Sequence, residues 1–360
     1  MRRNLIFLYF AQWIFISACI DPHSIENTSS DEYVIVDGLI TTEPGPHTIK
    51  LFRSAPYGNN FESVIQPLPN AKMVIRDHTG NIESLVPSNE IGVYITSPSF
   101  SARIGYTYTL HIELQDGRLL SSLPEKVLPV PSLDSLSVTT LEFPSENPLV
   151  NRSGAQIVAH FRDPSDEKNY YQWVPKDPVY VLIANPEEFR KGPNGIVDGR
   201  LCPYCPCPKE CCARCYRTEG LAFVPVSILD DISFNGEEIA YPVYFVEDNG
   251  LRFKDTYRID IYQRSISEKA YRYLLLSKQQ LESQGNIFDP PPANIRGNIV
   301  QLDQSDMTVL GYFYASDVSS KQIYIKRNDL NIHQPQLLIP DDCREVPNAS
   351  LDSPSDWNPR

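Results

Sequence analysis

The sequence predicts a mainly β protein: an N-terminal immunoglobulin-like β-sandwich, then a second β-rich domain with one α-helix and a Cys-rich insertion. Three observations predict it. Apolar runs of strand length recur from residue 33 to residue 326, bounded by Gly, Pro, Asn and Asp. Residues 106–114 alternate strictly. Tyr106, Tyr108, Leu110, Ile112 and Leu114 face one way and Thr107, Thr109, His111 and Glu113 the other, which is the pattern of a strand with one buried face. The 31 prolines and 20 tyrosines suit strands joined by sharp turns.

The chain opens with Met1-Arg2-Arg3-Asn4, a cationic start. Leu5 to Phe15 is apolar except for Gln12, and Ile16-Ser17-Ala18-Cys19 ends the run with small residues. This layout predicts a signal peptide over residues 1–18. The run is shorter than the ~20 residues a membrane-spanning helix needs. The cysteine at the cut resembles the lipobox of bacterial lipoproteins, which implies Cys19 as the lipidation site and a membrane attachment through it. An ordinary secretory signal is the alternative. One acyl chain binds only marginally, at ~0.8 kcal/mol per buried methylene. The three chains of bacterial lipoproteins imply firm anchoring. Residues 19–31 are polar and read as a lipidated tether.

The first sandwich is expected over residues 32–131. Its strands include Tyr33–Val36, Thr48–Phe52, Lys72–Arg76 and Tyr106–Leu114, followed by a turn at Asp116-Gly117. Pro124 to Pro131 is stiff and reads as a boundary. The second domain is expected over residues 132–346, with strands at Ala155–Phe161, Val179–Ile183, Tyr241–Val246 and Tyr257–Tyr262. Residues 185–220 form the Pro-, Gly- and Cys-rich insertion. Ser265-Ile266-Ser267-Glu268 matches a capping box and predicts a helix over 266–284. Strands resume at Asn298–Leu302, Val309–Tyr314 and Gln322–Lys326, and residues 347–360 read as a disordered tail.

Six cysteines crowd into 14 residues, Cys202, Cys205, Cys207, Cys211, Cys212 and Cys215, and Cys343 follows far downstream. In an oxidising compartment clustered cysteines pair, so all seven are disulfide candidates. Cys202, Cys205, Cys212 and Cys215 also have a metal-like spacing, and reactive thiols are a third option. Connectivity is not legible from sequence. A bridge from the cluster to Cys343 would close more than 100 residues and stabilise the fold by about 4–5 kcal/mol. Seven is an odd number, which leaves one thiol over.

The net charge is −13, and loss of Arg2 and Arg3 with the leader takes it to −15. Such acidity argues against nucleic acid as a partner and against lying flat on an anionic membrane. No nucleophile elbow, zinc-protease helix, phosphate loop or dinucleotide motif is present, so neither catalytic residues nor a cofactor are expected. Asp163-Pro164-Ser165-Asp166-Glu167 lacks the ligand alternation of a calcium loop and reads as a turn.

Several stretches carry a likeness: Val36-Asp37-Gly38-Leu39-Ile40-Thr41, Asn70 to Asp77, Gly92-Val93-Tyr94, Gly105-Tyr106-Thr107-Tyr108 and Asn169-Tyr170-Tyr171. Asn286 to Asn298 and Gly311-Tyr312-Phe313 complete the set. In this order they resemble a Bacteroidota family of outer-membrane lipoproteins, domain of unknown function 4249. The resemblance implies an accessory role beside a TonB-dependent outer-membrane barrel in nutrient uptake. It also implies that a cysteine followed by an aromatic, here Cys215-Tyr216, accompanies Cys343, and it brings no catalytic residues. The expected function is a lipid-anchored outer-membrane binding or accessory subunit, facing the periplasm or the cell surface. A surface glycan-binding protein or hydrolase, and a metal-capturing lipoprotein, are the alternatives.

Overall fold

A computed structural model describes residues 33–54, 65–145, 151–185, 196–197, 200–201, 212–221, 224–283, 295–302, 308–340 and 342–359. The leader, Cys19, the tether, Cys202, Cys205, Cys207 and Cys211 lie outside the described residues. Ten strands come first: β1 (Tyr33–Thr41), β2 (Thr48–Ser54), β3 (Ile65–Pro67), β4 (Lys72–Asp77), β5 (Ile82–Ser84), β6 (Val86–Pro87), β7 (Val93–Ile95), β8 (Thr107–Glu113), β9 (Leu119–Ser122) and β10 (Glu125–Lys126). Nine follow: β11 (Leu133–Phe143), β12 (Arg152–Arg162), β13 (Tyr170–Ile183), β14 (Ile196–Val197), β15 (Arg200–Leu201), β16 (Arg214–Thr218), β17 (Ser227–Asp230), β18 (Glu238–Glu247) and β19 (Thr256–Ser265). The chain closes with helix α1 (Glu268–Glu282), β20 (Ile299–Gln301), β21 (Thr308–Ser316), β22 (Val318–Lys326) and β23 (Ala349–Ser350).

The fold is mainly β, as the sequence predicts, and its sheets form two sandwiches. In the first, the sheet β21-β1-β2-β7-β6 faces the sheet β20-β9-β8-β4-β5. Alternation decides what lies between them. Val34, Val36, Ile49, Leu51, Leu110 and Ile112 point inward and are fully or almost fully buried. In the second, β11-β12-β18 faces β22-β19-β13-β16-β23 around Ile157, Phe161, Trp173, Tyr257, Ile259 and the fully buried Cys215 and Cys343.

The first sandwich is not contiguous in sequence. The chain leaves it after β10, but β20 and β21 return to it afterwards. β21 runs parallel to β1, with Val36 opposite Gly311 and Gly38 opposite Phe313. A parallel neighbour must come from a distant segment, so local pattern could not reveal this pairing. The backbones here are very close. A Cβ at Gly311 would sit 1.9 Å from the Val36 oxygen, and one at Gly297 would sit 1.5 Å from the Gly311 oxygen, so neither position tolerates a side chain. Asn298 clamps the returning strand, accepting from Phe313 N (2.8 Å) and donating to Phe313 O (2.9 Å).

β21 passes to β22, and so from one sandwich to the other, through Asp317 alone. That residue ties three crossings together. Its carboxylate accepts from Thr42 Oγ1 (2.6 Å) and Val130 N (3.0 Å), and its backbone NH donates to Ser265 Oγ (3.2 Å). Charge-assisted bonds of this kind are worth roughly 1.5–3 kcal/mol each, which makes Asp317 a pin at the seam.

α1 lies on that seam. Its N-cap is Ser267, which accepts from Ala270 N, and not the Ser265 of the predicted capping box; the Ser265 hydroxyl instead bonds Leu128 O. Ala270 and Leu274 of α1 join Tyr170, Ile228, Ile266 and Tyr312 in a third core between the sandwiches. Ring contacts Tyr273–Tyr312 (5.1 Å) and Tyr312–Tyr314 (4.5 Å) line it. The tyrosines thus serve the seam as well as the sandwich cores.

Other differences from the sequence reading have physical causes. Val179–Ile183 is only the end of the 14-residue β13. Pro175 and Pro178 hide its earlier part, and the register shifts between Lys176 and Val179, where Asp177 adopts φ 49°. The expected insertion 185–220 contains β16, a core strand paired with β13. Residues 347–359 are not a disordered tail: β23 pairs with β16, and Trp357 packs edge-on against Tyr216 (5.1 Å) and Tyr324 (5.4 Å).

Candidate functional site

Where the two sandwiches meet beside α1, a groove of about 350 Å³ opens. One wall is the outer face of the first sandwich. Asp37 and Leu39 of β1, Thr48 and Lys50 of β2 and Tyr314 of β21 point into it because their neighbours Val36, Gly38 and Ile49 point into the core. The other wall comes from the second sandwich and the helix: Gln172 of β13, Arg264 of β19, cross-strand partners in register, and Leu274 of α1. The volume suits a small ligand.

The electrostatics of this seam are unusual. The buried Nε of Arg264 has no hydrogen-bond partner, and no carboxylate forms an ion pair with its guanidinium among the described residues. Burial pulls Arg264 down to about 10, so it still carries its charge at neutral pH. Asp37 opens to solvent along the groove, yet desolvation by the walls raises its carboxyl against the attraction of Lys50 and Arg264. Burial, with Arg264 adding to it, lowers Lys176, which stacks on Tyr262 at 3.9 Å beside the groove. Incompletely paired, desolvated charges in a cleft mark a functional-site candidate.

A catalytic arrangement is a poorer fit. Two Ser–His contacts exist, Ser121–His111 (3.2 Å) and Ser137–His160 (2.6 Å). Both are cross-strand pairs, neither lines a cavity described here, and no carboxylate bonds either ring among the described residues. Acids in the other cavities are already engaged. Glu219 takes a two-pronged bond from Arg252 (2.6 and 2.9 Å), and Glu247 one from Arg152 (2.7 and 2.5 Å). Glu83 accepts from Ser97 N (2.7 Å). Desolvation opposes it, but hydrogen bonds from Asn81 and Thr79 hold Asp77 down at about 2. Asp163 bonds the Tyr171 hydroxyl and Gly236 N, which fits the turn expected there.

Among the cysteines, Cys215 and Cys343 form a disulfide, with Cα atoms 5.7 Å apart and a sequence separation of 128. This is the pairing the family resemblance implies. Cys212 is disulfide-bonded as well. Thiolates spent in bridges cannot ligate a metal, so Cys202, Cys205, Cys212 and Cys215 do not form a four-thiolate site while these bonds stand. Cys19 and the rest of the cluster lie outside the described residues. Spacing makes the cysteines conspicuous in the sequence, whereas Arg264, Lys50 and Gln172 are not. Outward polar residues on strands carry no signal until a second sheet is known to cover them.

Fold and groove together define a two-lobed β-sandwich protein with a charged cleft at the lobe seam. A family model matches residues 20–322, and the chain belongs to that family, the Domain of unknown function (DUF4249). No curated protein matches the chain. Three of the stretches quoted above meet at the seam: Val36–Thr41 pairs with Gly311–Phe313, Asn298 clamps that pair, and Asp37 lines the groove.

Proposed function

We propose that this chain is an exported lipoprotein, anchored in the outer membrane through Cys19, that acts as a non-catalytic binding or accessory subunit of a TonB-dependent nutrient transporter. The observation that carries the binding role is the groove itself: charges of both signs stand on facing walls. The leader's cationic start, short apolar core and Ile-Ser-Ala-Cys ending support the anchor. No helix among the described residues is long and apolar enough to cross a membrane.

A glycan-binding reading has one observation in its favour. A second cavity of about 370 Å³ is lined by Tyr244, Phe245 and Tyr257 beside the Arg252–Glu219 pair, aromatic faces next to fixed hydrogen-bonding groups. Affinity capture of the native protein from gently solubilised membranes of its own cells tests the accessory role. A single barrel recovered in stoichiometric amount is the expected outcome, and a clean preparation of this protein alone would count against it. Cys19→Ala should release the protein from membranes; continued membrane residence would sink the anchor.

A further inference from the structure

The seam groove holds a cation, Arg264, that forms no ion pair among the described residues, with Glu43 and Asp37 attracting it from further off. In a chain with net charge −13, carboxylates are abundant, yet none lies within ion-pair distance of Arg264 among the described residues. Elsewhere the half-buried Arg252 pairs with Glu219 and the buried Arg258 with Asp356, while Arg217 donates to the Tyr180 hydroxyl. A buried, unmatched charge is costly. Its cost makes sense if a ligand supplies the missing anion. Asp37 stands on the facing wall. Lys50, opposite Asp37 in register, gives that wall both signs, and a neutral sugar would leave Arg264 unpaired. A molecule carrying one carboxylate and one ammonium group satisfies both walls. Leu39, Leu274 and Tyr314 add apolar surface for a side chain, while Thr48 and Gln172 offer hydrogen bonds.

We infer that the groove binds a small zwitterion of the amino-acid or dipeptide class, its carboxylate on Arg264 and its ammonium toward Asp37. This rests on the binding role proposed above and specifies its ligand. The groups facing the ligand are Asp37, Lys50 and Tyr314 from the first sandwich, and Arg264 and Gln172 from the second. Glu43, Tyr262 and Lys176 contribute from the surroundings.

The test is calorimetric titration of the full, detergent-purified chain with three probes: leucyl-leucine, its N-acetyl derivative, which keeps only the carboxylate, and its C-terminal amide, which keeps only the ammonium. Saturable binding of leucyl-leucine, at least tenfold tighter than either derivative, is the expected result. Arg264→Gln should weaken leucyl-leucine at least tenfold. Asp37→Asn should weaken it too, while leaving the N-acetyl derivative unchanged. Because Arg264 forms no ion pair among the described residues, Arg264→Gln should leave Tm equal or higher without ligand. A fall in Tm would mark Arg264 as structural and overturn the inference. So would equal binding of the amide, unchanged affinity in Arg264→Gln, or no saturable heat with any probe. Capture of the barrel is read separately, so failure of the zwitterion site and failure of the transporter partnership are distinguishable.

Discussion

Glu125 shows how much a single residue at the seam can set the response to pH. It is 3% exposed and accepts hydrogen bonds from Tyr312 (2.6 Å) and Asn298 (3.3 Å). Desolvation outweighs those bonds and raises its carboxyl above the ordinary 4.5. The proton therefore binds the folded state more tightly than the unfolded one. The associated stabilisation is complete below about pH 4.5 and is lost as pH rises through the folded-state value. Glu125→Gln keeps an acceptor for Tyr312 and removes the buried charge. It should be more stable than wild type by about 1 kcal/mol at pH 7, an ordinary single-substitution effect. The two proteins should converge near pH 4. Thermal melts across that range check this, and a variant that is less stable than wild type at pH 7 would refute the account.

At the scale of elements, the C-terminal segment behaves as a strap rather than a free end. Asp356 pairs with the almost fully buried Arg258 at 2.6 Å, and Asn358 N donates to the Tyr324 hydroxyl at 2.8 Å. Trp357 lies between Tyr216 and Tyr324, with the Arg258 guanidinium 5.9 Å from its ring. Trp357→Ala should lower stability by about 1–2 kcal/mol, less than the 3–5 kcal/mol of a core aromatic because the ring is only half-buried. A melt unchanged to within a few tenths of a kcal/mol would mean the docking is energetically idle. Composition at residues 347–360, polar with three prolines, signals disorder because it reports local preference and not the surface that awaits one tryptophan. The same limit runs through the fold. The alternation from Tyr106 to Leu114 reveals β8 and its buried face, since both are local. Pro175 and Pro178 conceal β13, and Ser265 looks like a cap until its hydroxyl is found on Leu128 O. The groove was the least legible feature of all. Asp37 stands in a recognisable stretch, but Arg264 faces it only because β21 returns to lie beside β1.

For the whole molecule, the Cys215–Cys343 bridge does more than join β16 to the short 3-10 turn ahead of β23. The chain it encloses includes α1, β20 and β21, so the closed loop leaves the second sandwich, contributes two strands to the first and comes back through Asp317. Both cysteines are fully buried, and Cys343 N donates to Cys212 O just before the strap begins. Closing a loop of this length restricts the unfolded chain, a stabilisation of about 4–5 kcal/mol in the chain-entropy account. The double variant Cys215→Ala/Cys343→Ala removes the bridge without leaving a free thiol at either position. Its denaturant midpoint should fall by an amount matching that figure, and its m-value should rise, because the unbridged chain exposes more surface when it unfolds. The m-value is the informative half of the measurement. A lower midpoint with an unchanged m-value would place the bridge's contribution in packing between β16 and the strap. Reduced midpoint and raised m-value together would place it in the restraint of a loop that threads both sandwiches.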